Sequence, residues 1–95
     1  MKDFKGKLAV VTGGGTGMGR ELARQLSAEG CDVAMCDVSE ENMRETKRLC
    51  EEVGKGLRIT TYRCDVSDES QVLAFRDAVQ DAHETNHINL LFNNA

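Results

Sequence analysis

Ninety-five residues, with 40% apolar and 29% charged side chains and a net charge of −4, make one small globular domain. That balance excludes a disordered chain, and the acidic excess argues against general nucleic-acid binding, which needs a basic surface. No apolar run is long enough to span a membrane, and the N-terminal stretch lacks the apolar core of a secretory signal, so the expected compartment is the cytoplasm.

In chain order, KLAVVT (Lys7–Thr12) is a short β-branched run bounded by glycines and reads as a first strand. The following MGRELARQLSAEG puts Met18, Leu22, Ala23 and Leu26 on one stripe at helical spacing, with Gly30 as the stop. CDVAMCDV (31–38) is a second strand. Ser39 then caps a helix that carries Glu40 and Glu41 at the positive end of its dipole. The apolar stripe of that helix is Met43, Thr46, Leu49, Cys50 and Val53, and Gly54 and Gly56 punctuate its end. LRITTYRCDV (57–66) is a third strand, and Ser67 or Asp68 opens a third helix over 69–85. Val72, Phe75, Val79 and Ala82 share its apolar face, with Asn86 as a left-handed terminator. INLLF (88–92) is a fourth strand. Strands alternating with helices in this way indicate βαβ units and a parallel sheet. Such strands are covered on both faces, which explains why LAVV and LLF run apolar without alternating.

Four cysteines (Cys31, Cys36, Cys50, Cys64) show no C-x-x-C spacing and read as small buried hydrophobes rather than a disulfide framework or a zinc site. HETNH (83–87) satisfies H-E-x-x-H, a zinc-protease pattern that needs both histidines on one helical face and a further ligand. Here it straddles the end of the third helix, so two solvated histidines at a helix end are the expectation.

Five of the nine glycines fall in TGGGTGMGR, between the first strand and the first helix. Gly13, Gly17 and Gly19 form Gly-x-x-x-Gly-x-Gly. Such glycines serve a turn, the close approach of a pyrophosphate to the main chain, and tight helix–strand packing. The helix beginning near Gly17 would aim its N–H groups at the anion. Asp37 ends the second strand eighteen residues beyond Gly19. A carboxylate there can accept both hydroxyls of an adenosine ribose and would repel a 2′-phosphate, favouring NAD over NADP. Position 16 is Thr, so no basic residue in the loop supplies a phosphate clamp. The plain alternative for Asp37 is a solvated strand end.

These residues resemble one family, the short-chain dehydrogenases/reductases. Its T-G-x-x-x-G-x-G signature is matched by Thr12-Gly13-Gly14-Gly15-Thr16-Gly17-Met18-Gly19, where Met18 replaces the frequent Ile or Leu. Asp65-Val66 resembles the Asp-Val pair that meets the adenine, and Asn93-Asn94-Ala95 resembles the N-N-A of the family's N-N-A-G. The resemblance implies that Gly13, Thr16, Gly17 and Met18 line the pyrophosphate and ribose, and that Asp37 holds the adenosine ribose. It further implies that Asp65 and Val66 flank the adenine and that Asn94 lies under the cofactor. Taken singly, Asp65 and Val66 also suit an ordinary strand exit, and Asn93 and Asn94 suit capping of loop backbone.

The architecture expected is α/β, the first half of a Rossmann-type doubly wound parallel sheet with strand order 3-2-1-4. The first two helices should cover one face and the third the other. Residues 1–95 are expected to be the N-terminal part of an NAD(P)-binding domain without its catalytic half. The family's Ser and Tyr-x-x-x-Lys have no match, because Tyr62 is followed four residues later by Val66 and reads as packing. Two functional readings stand: an NAD-dependent oxidoreductase of alcohols or ketones, or a non-catalytic dinucleotide-binding module or truncated product. The chain alone is expected to be inactive, marginally stable and prone to self-association through its fourth strand. A complete family member is expected to form a homo-oligomer.

Overall fold

The computed structural model describes residues 5–15, 17–83 and 90–93, the last four by their backbone. Within them the order is β1 (Leu8–Thr12), α1 (Gly17–Ala28), β2 (Asp32–Asp37), α2 (Glu40–Val53), β3 (Ile59–Arg63), α3 (Glu69–Ala82) and β4 (Leu90–Asn93). The strands pair in parallel in the order β3-β2-β1-β4, as expected from the sequence.

Alternation along each strand sorts its side chains onto two cores. Ala9, Val11, Val33, Met35 and Ile59 face α1 and α2, where Ala23, Leu26, Met43 and Cys50 close over them. Leu8, Val10, Ala34 and Cys36 face the other way, onto Phe75 and Val79 of α3 and onto Cys64. Both faces of β1 and β2 are therefore buried, which is why these strands carry unbroken apolar runs. Met35 and Met43 are wholly enclosed. Burial of a side chain that size is worth roughly 1.5–3 kcal/mol.

The caps follow local chemistry. Ser39 Oγ accepts from the Asn42 N–H at 3.2 Å and starts α2. Asp68, not Ser67, starts α3, its Oδ1 accepting from the Ser70 N–H at 3.0 Å and the Gln71 N–H at 3.4 Å. Gly30 turns the chain out of α1 with φ of 92°.

Several sequence expectations need correction. Val53 is 45% exposed because it lies in the last turn of α2, beyond the reach of the sheet. Met18 is 78% exposed: it stands on the first turn of α1, which begins past the end of β1. The third strand is confined to Ile59–Arg63, and α3 ends at Ala82 rather than residue 85. His83 is buried, not solvated, with Nε2 2.7 Å from Thr60 Oγ1 on β3. The capping residue of α3 is thereby turned inward against the sheet. Asn86, the expected terminator, lies outside the described residues.

Candidate functional site

The C-terminal ends of all four strands lie on one edge of the sheet, with Thr12 in register with Cys36 and Asn93, and Asp37 with Arg63. From β1 the chain leaves to one neighbour, β2, through α1, while β4 lies on its other side. Connections that diverge from adjacent parallel strands leave a crevice at their carboxyl ends, the usual ligand position in open α/β sheets. The glycine loop sits at that crevice.

The loop is laid along β2 by its own amides. The N–H groups of Gly13 and Gly14 both donate to the Cys36 carbonyl, at 2.8 and 3.1 Å. The next amide, of Gly15, donates to Asp37 Oδ2 at 2.8 Å. Asp37 Oδ1 accepts from the Ser39 N–H at 3.2 Å. The carboxylate is thus gripped from both sides, by the loop and by the entry to α2. A carboxylate offers about four acceptor sites, and these two bonds leave capacity for two further donors. The strand-end carboxylate and the glycine loop, twenty-two residues apart in sequence, form one unit.

Gly15 has no room for a side chain, since a Cβ there would lie 2.7 Å from Asp37 Oδ2 and 3.0 Å from Asn42 Cβ. Gly17 is different. It has φ of 61° and open space around the position of a Cβ, so glycine is required by backbone conformation alone. With the amides of Gly13 to Gly15 committed to β2, the donors left among the described residues to face an anion are those of the first turn of α1, which have no partner within their helix. Met18 stands exposed on that turn and Gly19 is buried beneath it. Residues of this kind fit a dinucleotide: an open glycine cradle, a helix N-terminus and an oriented carboxylate.

Asp65 sits at the exit of β3. Its Oδ1 accepts from the Ser67 N–H at 2.9 Å and from the Ser67 hydroxyl at 2.7 Å, and its own N–H donates to Gln71 Oε1 at 2.8 Å. These bonds make it the former of the turn into α3, the plain reading of this residue. The Ser67 hydroxyl, followed by the Ser67 amide, lowers the Asp65 carboxyl below the ordinary carboxylate range. Val66 beside it is 46% exposed. Thr16 and Asn94 lie outside the described residues.

The family model for short chain dehydrogenases matches residues 7–95. The chain belongs to the short-chain dehydrogenase family. Levodione reductase of Leifsonia aquatica is 37% identical over 92 residues, which are 97% of this chain and 34% of that protein. A crystal structure of levodione reductase superposes with a TM-score of 0.91 over 97% of this chain and 35% of its own. The NAD+-bound xylitol dehydrogenase structure has a TM-score of 0.89 at 35% identity, covering 99% of this chain and 35% of that one. A metagenomic short-chain oxidoreductase in complex with NADP has 0.87 at 31% identity, covering 99% of this chain and 41% of its own. The chain spans about a third of the length of the curated relatives it matches. The Rossmann-type sheet expected from the sequence is thus found, and relatives of both cofactor types share it.

Other reactive side chains of this short-chain dehydrogenase chain are engaged structurally. Tyr62 packs edge-on against Phe75 with ring centroids 5.3 Å apart, and its hydroxyl donates to the Ala78 carbonyl at 3.3 Å. All four cysteines are buried thiols. Burial, then the neighbouring Cys64, pushes the Cys36 thiol up to about 12, and burial likewise raises Cys31 and Cys50. Thiols so disfavoured as thiolates are poor nucleophiles. Of the H-E-x-x-H pattern, His83 is tied to Thr60 and the remainder lies outside the described residues. Among the described residues no helix is long and apolar enough to cross a membrane.

Two residues of the site escaped the sequence reading. Thr46 falls by spacing in the apolar stripe of α2, but it bonds to the Gly15 carbonyl, and Arg20 bonds to Thr46. A hydroxyl in the middle of a buried stripe is itself the signal, because it must find a partner somewhere in the fold.

Proposed function

We propose that this chain is the N-terminal, cofactor-binding part of an NAD-dependent short-chain oxidoreductase. The single observation that carries the preference for NAD is the Asp37 carboxylate, held by the Gly15 and Ser39 amides at the mouth of the glycine loop. Its remaining acceptor capacity suits the two hydroxyls of an adenosine ribose, and its charge opposes a 2′-phosphate. Arg20, the basic side chain nearest the loop in sequence, is committed to Thr46 and the Asn42 carbonyl, which further supports NAD.

In this reading Gly13 and Gly17 shape the cradle, Gly19 lets α1 pack closely, and Thr16 and Met18 line the pyrophosphate and ribose. Asp65 and Val66 flank the adenine, and Asn94 lies beneath the cofactor. The bound nicotinamide would supply the hydride-accepting or hydride-donating carbon for an alcohol or ketone. The family's Ser and Tyr-x-x-x-Lys have no match among these 95 residues, so the role read for them is to hold the cofactor rather than to move the proton. A cytoplasmic setting belongs to the same reading and is supported by the buried thiols. In the complete protein a homo-oligomer is expected.

Calorimetric titration with NAD+ and with NADP+ tests this. NAD+ should bind more tightly, and Asp37→Ala should cost it about tenfold or more in affinity while narrowing the preference. Equal or tighter binding of NADP+ by the unaltered chain would defeat the reading.

A further inference from the structure

We propose that Thr46, fixed by Arg20, is a positioning residue for the nucleotide site, clamping Gly15 so that Gly15 can orient the Asp37 carboxylate. The inference rests on the dinucleotide role given to Asp37 above. Thr46 is fully buried in α2, on the stripe that includes Met43 and Cys50. Its Oγ1 lies 3.2 Å from the Gly15 carbonyl and 3.2 Å from the Asn42 carbonyl, two acceptors for one hydroxyl proton. Arg20 resolves the choice. Its Nη2 already donates to the Asn42 carbonyl at 3.0 Å, and its Nε donates into Thr46 Oγ1 at 2.9 Å. With the two acceptor sites of the Asn42 carbonyl serving Arg20 and the i→i−4 helix bond of α2, the hydroxyl proton is directed at the Gly15 carbonyl, across 31 residues of sequence and between buried groups.

Gly15 is consequently held at both of its polar groups, its carbonyl by Thr46 and its N–H by Asp37. Loop, α1 and α2 meet at this one hydroxyl. Without it the buried Gly15 carbonyl loses this donor, and a buried carbonyl that loses a partner favours a shift of the backbone. Such a shift carries the Gly15 N–H away from Asp37 Oδ2 and frees the carboxylate to rotate. A ribose diol needs that carboxylate in a fixed orientation. A 2′-phosphate gains nothing from it. Loss of the clamp should therefore weaken NAD+ selectively.

Thr46→Val removes the hydroxyl at constant shape, and Thr46→Ser keeps it. The full chain is titrated calorimetrically with NAD+ and with NADP+. Thr46→Val should weaken NAD+ about five- to tenfold and NADP+ by less than about twofold, with Thr46→Ser restoring NAD+ binding to within about twofold. Equal losses for both nucleotides, or none, overturn the proposal. Should Thr46→Val fail to fold, Arg20→Lys keeps the charge but not the two-armed grip, and unchanged NAD+ affinity in that variant overturns it equally. If the unaltered chain binds neither nucleotide, the dinucleotide reading fails by itself. The clamp is then judged by amide hydrogen exchange at Gly15, which Thr46→Val should accelerate relative to Thr46→Ser; equal rates refute it.

Discussion

Replacing Gly15 by alanine puts a methyl carbon where Asp37 Oδ2 lies 2.7 Å away, Asp37 Cγ 3.1 Å and Asn42 Cβ 3.0 Å. Two of these atoms belong to a side-chain end, so the cheapest relief is rotation of the Asp37 carboxylate. That rotation breaks the 2.8 Å bond from the Gly15 N–H. A hydrogen bond to a charged group is worth roughly 1.5–3 kcal/mol when buried, and about 1 kcal/mol or a little more at this half-buried position. Against it stands a gain of about 0.4–1 kcal/mol, because alanine restricts the unfolded chain more than glycine does. The residual contact with Asn42 Cβ adds a few tenths of a kcal/mol by small-to-large reasoning. The net loss is about 0.2–1.4 kcal/mol, a fall in Tm of roughly 1–10 °C for a domain this size.

The sharper test is the background in which the change is made. With Asp37→Ala in place, neither the carboxylate contact nor the bond to it exists, and Gly15→Ala should become neutral or stabilising. A double-mutant cycle read by chemical denaturation should therefore show coupling of about 1 kcal/mol. Additive effects of the two substitutions would refute the physical link between loop and carboxylate.

Other consequences are open to simple measurement. Gly17→Ala forces an L-residue to φ of 61° in otherwise open space, so the urea midpoint should fall by the equivalent of about 1 kcal/mol, and Gly17→Asn should lose less. Ser39→Ala removes the hydroxyl that caps α2 and should cost about 1 kcal/mol in the same assay. Burial holds the His83 imidazole below its ordinary 6.5; Arg58 lowers it further and Asp32 opposes. As pH falls below 6.5 the unfolded chain takes up the proton before the folded one does. The stabilisation is thus complete above that value and drains away as pH falls toward the folded pKa. Melting temperatures followed from neutral to mildly acidic pH should fall more for the unaltered chain than for His83→Gln, and identical profiles would count against a buried His83.

Local chemistry legible in the residues themselves determined much of this protein. Apolar runs covered on both faces, helical stripes such as Ala23 with Leu26, and capping residues such as Ser39 specify elements through interactions a few residues apart. The order of those elements then restricts the sheet, because parallel strands joined by helices have few ways to pack. The glycine signature and Asp37 could be recognised for the same reason: each is a local requirement for a turn, a close approach or a charge. What only the tertiary structure decided are the places where distant residues share one set of atoms. Met18 and Val53 obeyed helical periodicity but lie beyond the sheet they would have covered, so periodicity predicted burial that the strand ends could not provide. His83 looked like a polar helix end until β3 presented Thr60 to it. Thr46 looked like a tolerated member of an apolar stripe until folding brought the Gly15 carbonyl and the Arg20 guanidinium to its hydroxyl. A buried polar atom announces from sequence that it needs a partner, but only the packing of α1, α2 and the glycine loop names which one.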